Sequence, residues 1–217
     1  MKKIIFTIMM CLPMMTYAQN VWERPDADNK AEQEKKEKTV KKVKDEGPNP
    51  DAPYLAGAVT EKDGSVQWTL DLDIPGRDAQ SIYDTMLKFL NDLTKEENQL
   101  EGSTVALVNK KDHMIVATIR EWLVFKDNFL SLDRTKFFYT LMANCQDGHL
   151  TVDMNRVSFR YKEKNDKETV FKAEEWISDK YALNKSKTKL YRGSAKFRRK
   201  SVDRKEFLFN AIKNLFK

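Results

Sequence analysis

The chain is poor in the residues that most often carry chemistry: two histidines and two cysteines occur among 217 residues. Cys11 and Cys145, and His113 and His149, lie too far apart in sequence to give the paired-ligand spacing of a structural zinc site. The seven glycines form no phosphate-cradling loop, which removes a nucleotide-binding fingerprint. No apolar stretch approaches the ~20 residues that a membrane-spanning helix needs. Of the two cysteines, Cys11 lies in the N-terminal apolar segment, and Cys145 is left alone. One thiol cannot form an intramolecular bridge, so stability has to come from an ordinary hydrophobic core. His113 and His149 fall at turns and read as exposed turn residues rather than ligands or bases. The composition therefore leads to an expectation of no catalytic residue, no metal site and no cofactor.

The N-terminus has the form of an export signal. Lys2 and Lys3 precede the apolar run from Ile4 to Met15, and Thr16-Tyr17-Ala18 supplies small residues at the −3 and −1 positions of a cleavage site. Residues 1–18 are expected to be a signal peptide, which places the mature chain, from Gln19, in the periplasm or at the cell surface and outside. Cys11 sits inside the apolar run after Met9 and Met10, which argues against lipid attachment there. Without the signal the chain keeps 37 basic and 33 acidic residues, a mild positive excess. From Asp28 to Glu46 it alternates Lys and Glu with almost nothing to bury, then reaches Gly47-Pro48-Asn49-Pro50. Residues 19–60 read as a charged, largely disordered tether, and residues 61–217 as one domain.

Within that domain, Val66, Trp68, Leu70 and Leu72 alternate with polar residues, the period of a strand with one buried face. Ile74-Pro75-Gly76 ends it. A helix is expected from Asp78 to Glu96, with Ile82, Met86, Phe89, Leu90 and Leu93 on one side. Four strands follow, over Thr104–Asn109, Met114–Phe125, Arg134–Cys145 and His149–Tyr161. Asp147-Gly148 signals a type I′ hairpin. If those two residues turn, Gln146 pairs with His149, Cys145 with Leu150, Ala143 with Val152 and Leu141 with Met154, giving one wholly apolar face. The apolar parity then changes between Met154 and Val157, which predicts a β-bulge near Asn155–Arg156. A short helix is expected over Ala173–Leu183 and a terminal helix over Ser201–Phe216, bearing Leu208, Phe209, Ile212, Leu215 and Phe216. The order β-α-β-β-β-β-(α)-α is that of an α+β fold, a curved antiparallel sheet with helices packed on one face.

The run Val66-Gln67-Trp68 leading into Ile82-Tyr83, the four strands with Trp122, and the basic, Phe-rich close from Lys196 to Lys217 are together familiar. Over residues 65–217 the chain resembles a family of exported Bacteroidota domains of unknown function with a TATA-binding-protein-like fold. The resemblance implies a β-α-β4-α fold and a periplasmic or surface location. It brings no catalytic or binding residues, and likeness to a DNA-binding fold says nothing of function by itself.

Several features invite a functional reading. Cys145 and His149 are near enough in sequence for a nucleophile–base pair, but the hairpin register turns Cys145 into the core and leaves His149 on the neighbouring rung. Asp71 and Asp73 share a strand face and read as solvated polar surface. Asp84-Thr85-Met86 matches a short O-glycosylation pattern, although Met86 belongs to the apolar side of its helix. Lys185–Lys205 holds ten Lys or Arg in 21 residues. Lys196, Arg198, Arg199 and Lys200 at its centre are the candidate basic patch, within a stretch read chiefly as a solvated loop. Trp68, Trp122 and Tyr139 are the candidates for lining an apolar cavity between sheet and helix, with a filled core as the alternative. The reading is an exported, non-enzymatic binding module. Its candidate partners are a small apolar ligand, an anionic lipid or glycan, or an envelope protein. Nucleic acid and residence within a membrane are not expected. An exported hydrolase is the alternative.

Overall fold

The structure is a computed structural model that describes residues 49–129, 131–162 and 167–217. The expected signal peptide, Cys11 and most of the expected tether lie outside the described residues. No helix among the described residues is long and apolar enough to cross a membrane.

The first elements are a 3-10 turn at Ala52–Tyr54 and a small hairpin of β1 (Glu61–Lys62) and β2 (Ser65–Val66). Residues 49–60, assigned by sequence to the tether, thus belong to the folded unit. They are tied down from the far end of the chain: the Tyr54 hydroxyl donates to Asp203 at 2.8 Å, and Val59 is buried.

Strand β3 (Trp68–Asp73) leads into helix α1 (Ala79–Leu93). Asp78 caps the helix, its carboxylate accepting from the Ser81 N–H at 2.7 Å. Ile82, Met86, Leu90 and Leu93 recur at steps of four and three and are buried against the sheet. The sheet then runs through β4 (Thr104–Asn109), β5 (Met114–Asn128), β6 (Ser131–Gln146), β7 (His149–Lys162) and β8 (Glu168–Lys172). Its spatial order is β3-β7-β6-β5-β4, antiparallel throughout, with β8 beside the second half of β7.

The hairpin register is the one derived from sequence: Gln146 opposes His149, Cys145 opposes Leu150 and Leu141 opposes Met154. The turn type differs. Gly148 alone has a positive φ, 73°, whereas a type I′ turn needs two left-handed residues. Asp147 is held otherwise, its carboxylate accepting the Ala79 N–H at 2.8 Å, so the turn also steadies the start of α1.

The expected bulge is present. Between Phe138 and Thr140 the register to β7 shifts by one residue, and Arg156 takes a left-handed φ of 53°. Leu150, Val152 and Met154 before it and Val157 and Phe159 after it all reach the same buried face.

Short helices α2 (Ala173–Trp176) and α3 (Asp179–Ala182) replace the single helix expected there. The last helix, α4 (Arg192–Asn214), begins nine residues before the expected Ser201 and absorbs two thirds of the basic stretch. Strand β8 was not expected; its five residues carry only Val170 and Phe171 as large apolar side chains. Helices α1 and α4 pack on one face of the sheet. Phe197 of α4 is the hub of that interface. Its ring meets Phe125, Phe159, Tyr161, Phe171 and Trp176 at centroid separations of 4.7 to 5.8 Å, spacings typical of aromatic pairs. The opposite face of the sheet carries no helix among the described residues.

Candidate anion-binding face

The residues singled out by sequence do not converge. Trp68 and Tyr139 are buried on the helix-covered side, while Trp122 projects from the other. The Trp68 indole donates to the Ala58 carbonyl at 2.9 Å. Tyr139 donates to Glu121 at 3.0 Å, and Glu121, wholly buried, also accepts from Asn98, Gln99 and both arms of Arg204. Burial, then the neighbouring Glu121 charge, pushes the Tyr139 hydroxyl well above its usual pKa. Burial is the largest single influence and works against the Arg204 charge, but the hydrogen bonds to Glu121 and Glu96 together with the charges of Glu121 and Tyr139 outweigh it and raise its pKa. The carboxylate is fully satisfied, and its role is to lock α4 to the sheet.

The basic run is likewise spoken for. Lys196 sits 2.8 Å from Asp133 and 2.8 Å from the Tyr161 hydroxyl. Burial opposes its charge, yet those two partners raise its pKa. Arg198 is 0% exposed; it donates to the carbonyls of Tyr54, Leu55 and Ile177 and to Asp179. Arg199 forks onto Asp51 at 2.6 and 2.8 Å. Lys200 alone of the four is exposed. Most of this cluster is therefore an internal clamp on residues 51–55.

Cys145 lies in the core, where burial pushes its thiol up to about 12. His149 lies between two carboxylates, Nδ1 3.0 Å from Asp73 and Nε2 3.0 Å from Asp71. The Asp71–Asp73 pair is thus engaged by an imidazole. Thr85, in the short glycosylation pattern, donates its hydroxyl to the Ser81 carbonyl, and Met86 is buried.

What sequence reading missed lies on the uncovered face. Strand pairing assembles two complete rungs there. Arg120, Phe138, Ser158 and Lys172 stand side by side on β5, β6, β7 and β8, and Trp122, Lys136, Arg160 and Val170 form the next. Arg134 follows on β6 opposite Val124, and the bulge sets Arg156 beside the first rung. Two of these guanidiniums rest on aromatic rings rather than on a carboxylate. Arg134 lies 3.8 Å from the Trp122 ring centroid and Arg160 lies 5.3 Å from that of Phe138, both within cation–π range. Arg120 fills the space left by Gly102, where an added Cβ would stand 2.5 Å from its guanidinium. Among the described residues, Arg120, Arg134, Arg156 and Arg160 make no ion pair and no side-chain hydrogen bond. Of the acids nearby, Glu168 is taken by Lys136 at 2.8 Å. That bond, with longer-range help from Arg160 and Lys162, lowers its pKa. A shallow hollow of about 260 Å³ is walled by Arg120, Arg156 and Arg160 and by the residues Thr118, Thr140 and Ser158. Guanidinium forks beside hydroxyl residues form a donor set suited to phosphate, sulfate or carboxylate oxygens.

Two other hollows are present. A groove of about 870 Å³ runs along β3 and α4, with Trp68, Leu70, Val202 and Phe209 among its walls. A cleft of about 440 Å³ continues the basic face past Arg134, Lys136 and Arg160.

The signal for this face was available in the strand parity. Arg120, Trp122, Arg134, Lys136, Phe138 and Arg160 all take the outward positions of the strands drawn from sequence. They escape notice because no two of the arginines are adjacent in the chain.

Fold and open face together define an α+β domain of the TATA-binding-protein-like class. Residues 68–160 match the model of a family described as a domain of unknown function (DUF4468) with TBP-like fold. A DUF4468 family protein from Bacteroides ovatus has a crystal structure 41% identical to this chain, with a TM-score of 0.72, covering 78% of this chain and 96% of that one. The chain belongs to the DUF4468 family. A TBP-like protein from Parabacteroides distasonis shares the fold at 19% identity and a TM-score of 0.60, over 73% of this chain and 96% of that one. Among curated proteins none matches.

Proposed function

We propose that this protein is an exported, non-catalytic binding module that captures an anionic component of the cell envelope on the open face of its sheet. The observation that carries the reading is the contrast between two sets of cations. Lys196, Arg198, Arg199 and Arg204 on α4 are neutralised by Asp133, Asp179, Asp51 and Glu121, whereas Arg120, Arg134, Arg156 and Arg160 face solvent together without an ion pair among the described residues. Like charges gathered on one face repel one another, and an anion from outside relieves that repulsion. The signal-like N-terminus directs the reading to an envelope partner. Two further features favour binding over chemistry: the one thiol of the domain is buried and protonated, and His149 has a carboxylate on each ring nitrogen. The apolar-ligand reading is weakened by the packing of Phe197, whose aromatic neighbours occupy the sheet–helix interface.

Calorimetric titration with inorganic polyphosphate tests the proposal. Binding should weaken steeply with salt, and the Arg120→Gln, Arg156→Gln, Arg160→Gln triple variant should lose it, while Lys200→Gln should not. A triple variant that binds as tightly as the parent rules the face out.

A further inference from the structure

Resting on the anion-binding reading above, we infer that the anionic partner is a lipid bilayer surface, entered by the tip of the β5–β6 hairpin. Beyond the pairing of Thr135 with Tyr161, strand β6 has no strand neighbour but β5 among the described residues, and β4 pairs with β5 only as far as Thr118. The two strands therefore pair only with each other from Val124 to Arg134, held at the base where Phe125 meets Phe197 and Asp133 accepts from Lys196 and Tyr161. They run on past those contacts to the Asn128–Ser131 pair as a two-stranded finger. At about 3.3 Å per residue the three residues of β5 past Phe125 project about 10 Å. An isolated hairpin of this kind gains little from its own cross-strand pairs, so its apolar side chains are informative. Phe129 at the tip is completely exposed, Leu132 is 53% exposed and Val124 is 38% exposed. Single exposed apolar residues are ordinary; Phe129 and Leu132 stand together at the projecting tip, with Val124 at its base, and form a patch with a purpose.

The charges behind the tip select the kind of surface. Lys126 and Arg134 flank it, and the 440 Å³ cleft at its base brings Leu132 together with Trp122, Arg134, Lys136 and Arg160. Asp133 is neutralised by Lys196, which leaves Asp127 as the carboxylate of the finger without an ion pair. A short apolar insertion alone binds a bilayer only marginally, and a basic collar is the second signal that makes attachment stable. Trp122, with Arg134 stacked on it, sits where an amphipathic ring meets the headgroup layer. A soluble polyanion would account for the arginines but gives no reason for Phe129 and Leu132 to face water.

The test is co-flotation of the host-processed protein with vesicles of phosphatidylcholine, with and without phosphatidylglycerol, beside a polyphosphate titration. The wild type should float with the anionic vesicles only. The Phe129→Ser, Leu132→Ser variant, altered at exposed sites and so keeping its melting temperature, should lose vesicle affinity by about tenfold or more. Its polyphosphate binding should be unchanged. Vesicle binding that the double variant retains, or polyphosphate binding with no vesicle binding, overturns the bilayer inference while leaving the anion reading standing. Absence of both overturns the two together.

Discussion

One residue type meets two fates in this domain. Arg198 is completely enclosed and every arm of its guanidinium is used, on three carbonyls and Asp179. Removing such a group leaves the carbonyls of Tyr54, Leu55 and Ile177 without this donor, at about 1–3 kcal/mol for each one left buried and unpaired, while Asp179 keeps the Gly57 N–H and Lys187. Arg198→Met should therefore lower the denaturant midpoint sharply and expose the amides of residues 54–59 to hydrogen exchange. Arg160→Gln, at an open site without an ion pair, should change stability by no more than about 0.5 kcal/mol. Equal losses in the two variants would refute the division between clamp and binding face. Cys145 offers a second check. Its thiol is raised from 9.0 to about 12 by burial. The folded state holds that proton where the unfolded state releases it, so this contribution is intact below pH 9.0 and is lost as pH climbs toward 12. Labelling by a thiol reagent should be negligible in the native protein at neutral pH and should follow global unfolding. Fast native labelling would place the thiol outside the core.

At the scale of elements, the β6–β7 hairpin was the most legible part of the sequence. Strict alternation fixes a register, and the parity change between Met154 and Val157 can be accommodated only by an extra residue. That residue is Arg156, at a positive φ that costs a non-glycine residue about 1–2 kcal/mol. Arg156→Gly should accordingly leave the melting temperature unchanged or raised while weakening anion binding. A destabilised Arg156→Gly protein would mean that the side chain is needed for the bend. The first half of α4 was illegible for an equally physical reason. From Arg192 to Lys200 only Phe197 is large and apolar. That segment is fixed by buried charge and one aromatic hub rather than by an apolar stripe. Strand β8 hid similarly, being a five-residue strand at the edge of the sheet.

For the whole molecule, fold class and element order could be read from hydrophobic period, because the sheet has one buried face and that face speaks through alternation. The candidate site could not, because its guanidiniums belong to three different strands and only pairing makes them neighbours. The dense run of cations in sequence drew attention to α4, where tertiary structure supplies each of Lys196, Arg198, Arg199 and Arg204 with a carboxylate. Density along the chain and density on the surface are separate quantities, and recognition depends on the second.

The most direct measurement is side-chain NMR of the arginine Nε–Hε groups during titration with inorganic polyphosphate. The account predicts shifts at Arg120, Arg134, Arg156 and Arg160 that vanish at high salt, with Arg198, Arg199 and Arg204 unmoved. Shifts confined to the arginines of α4, or a sheet face that stays silent while the anion binds elsewhere, would contradict it.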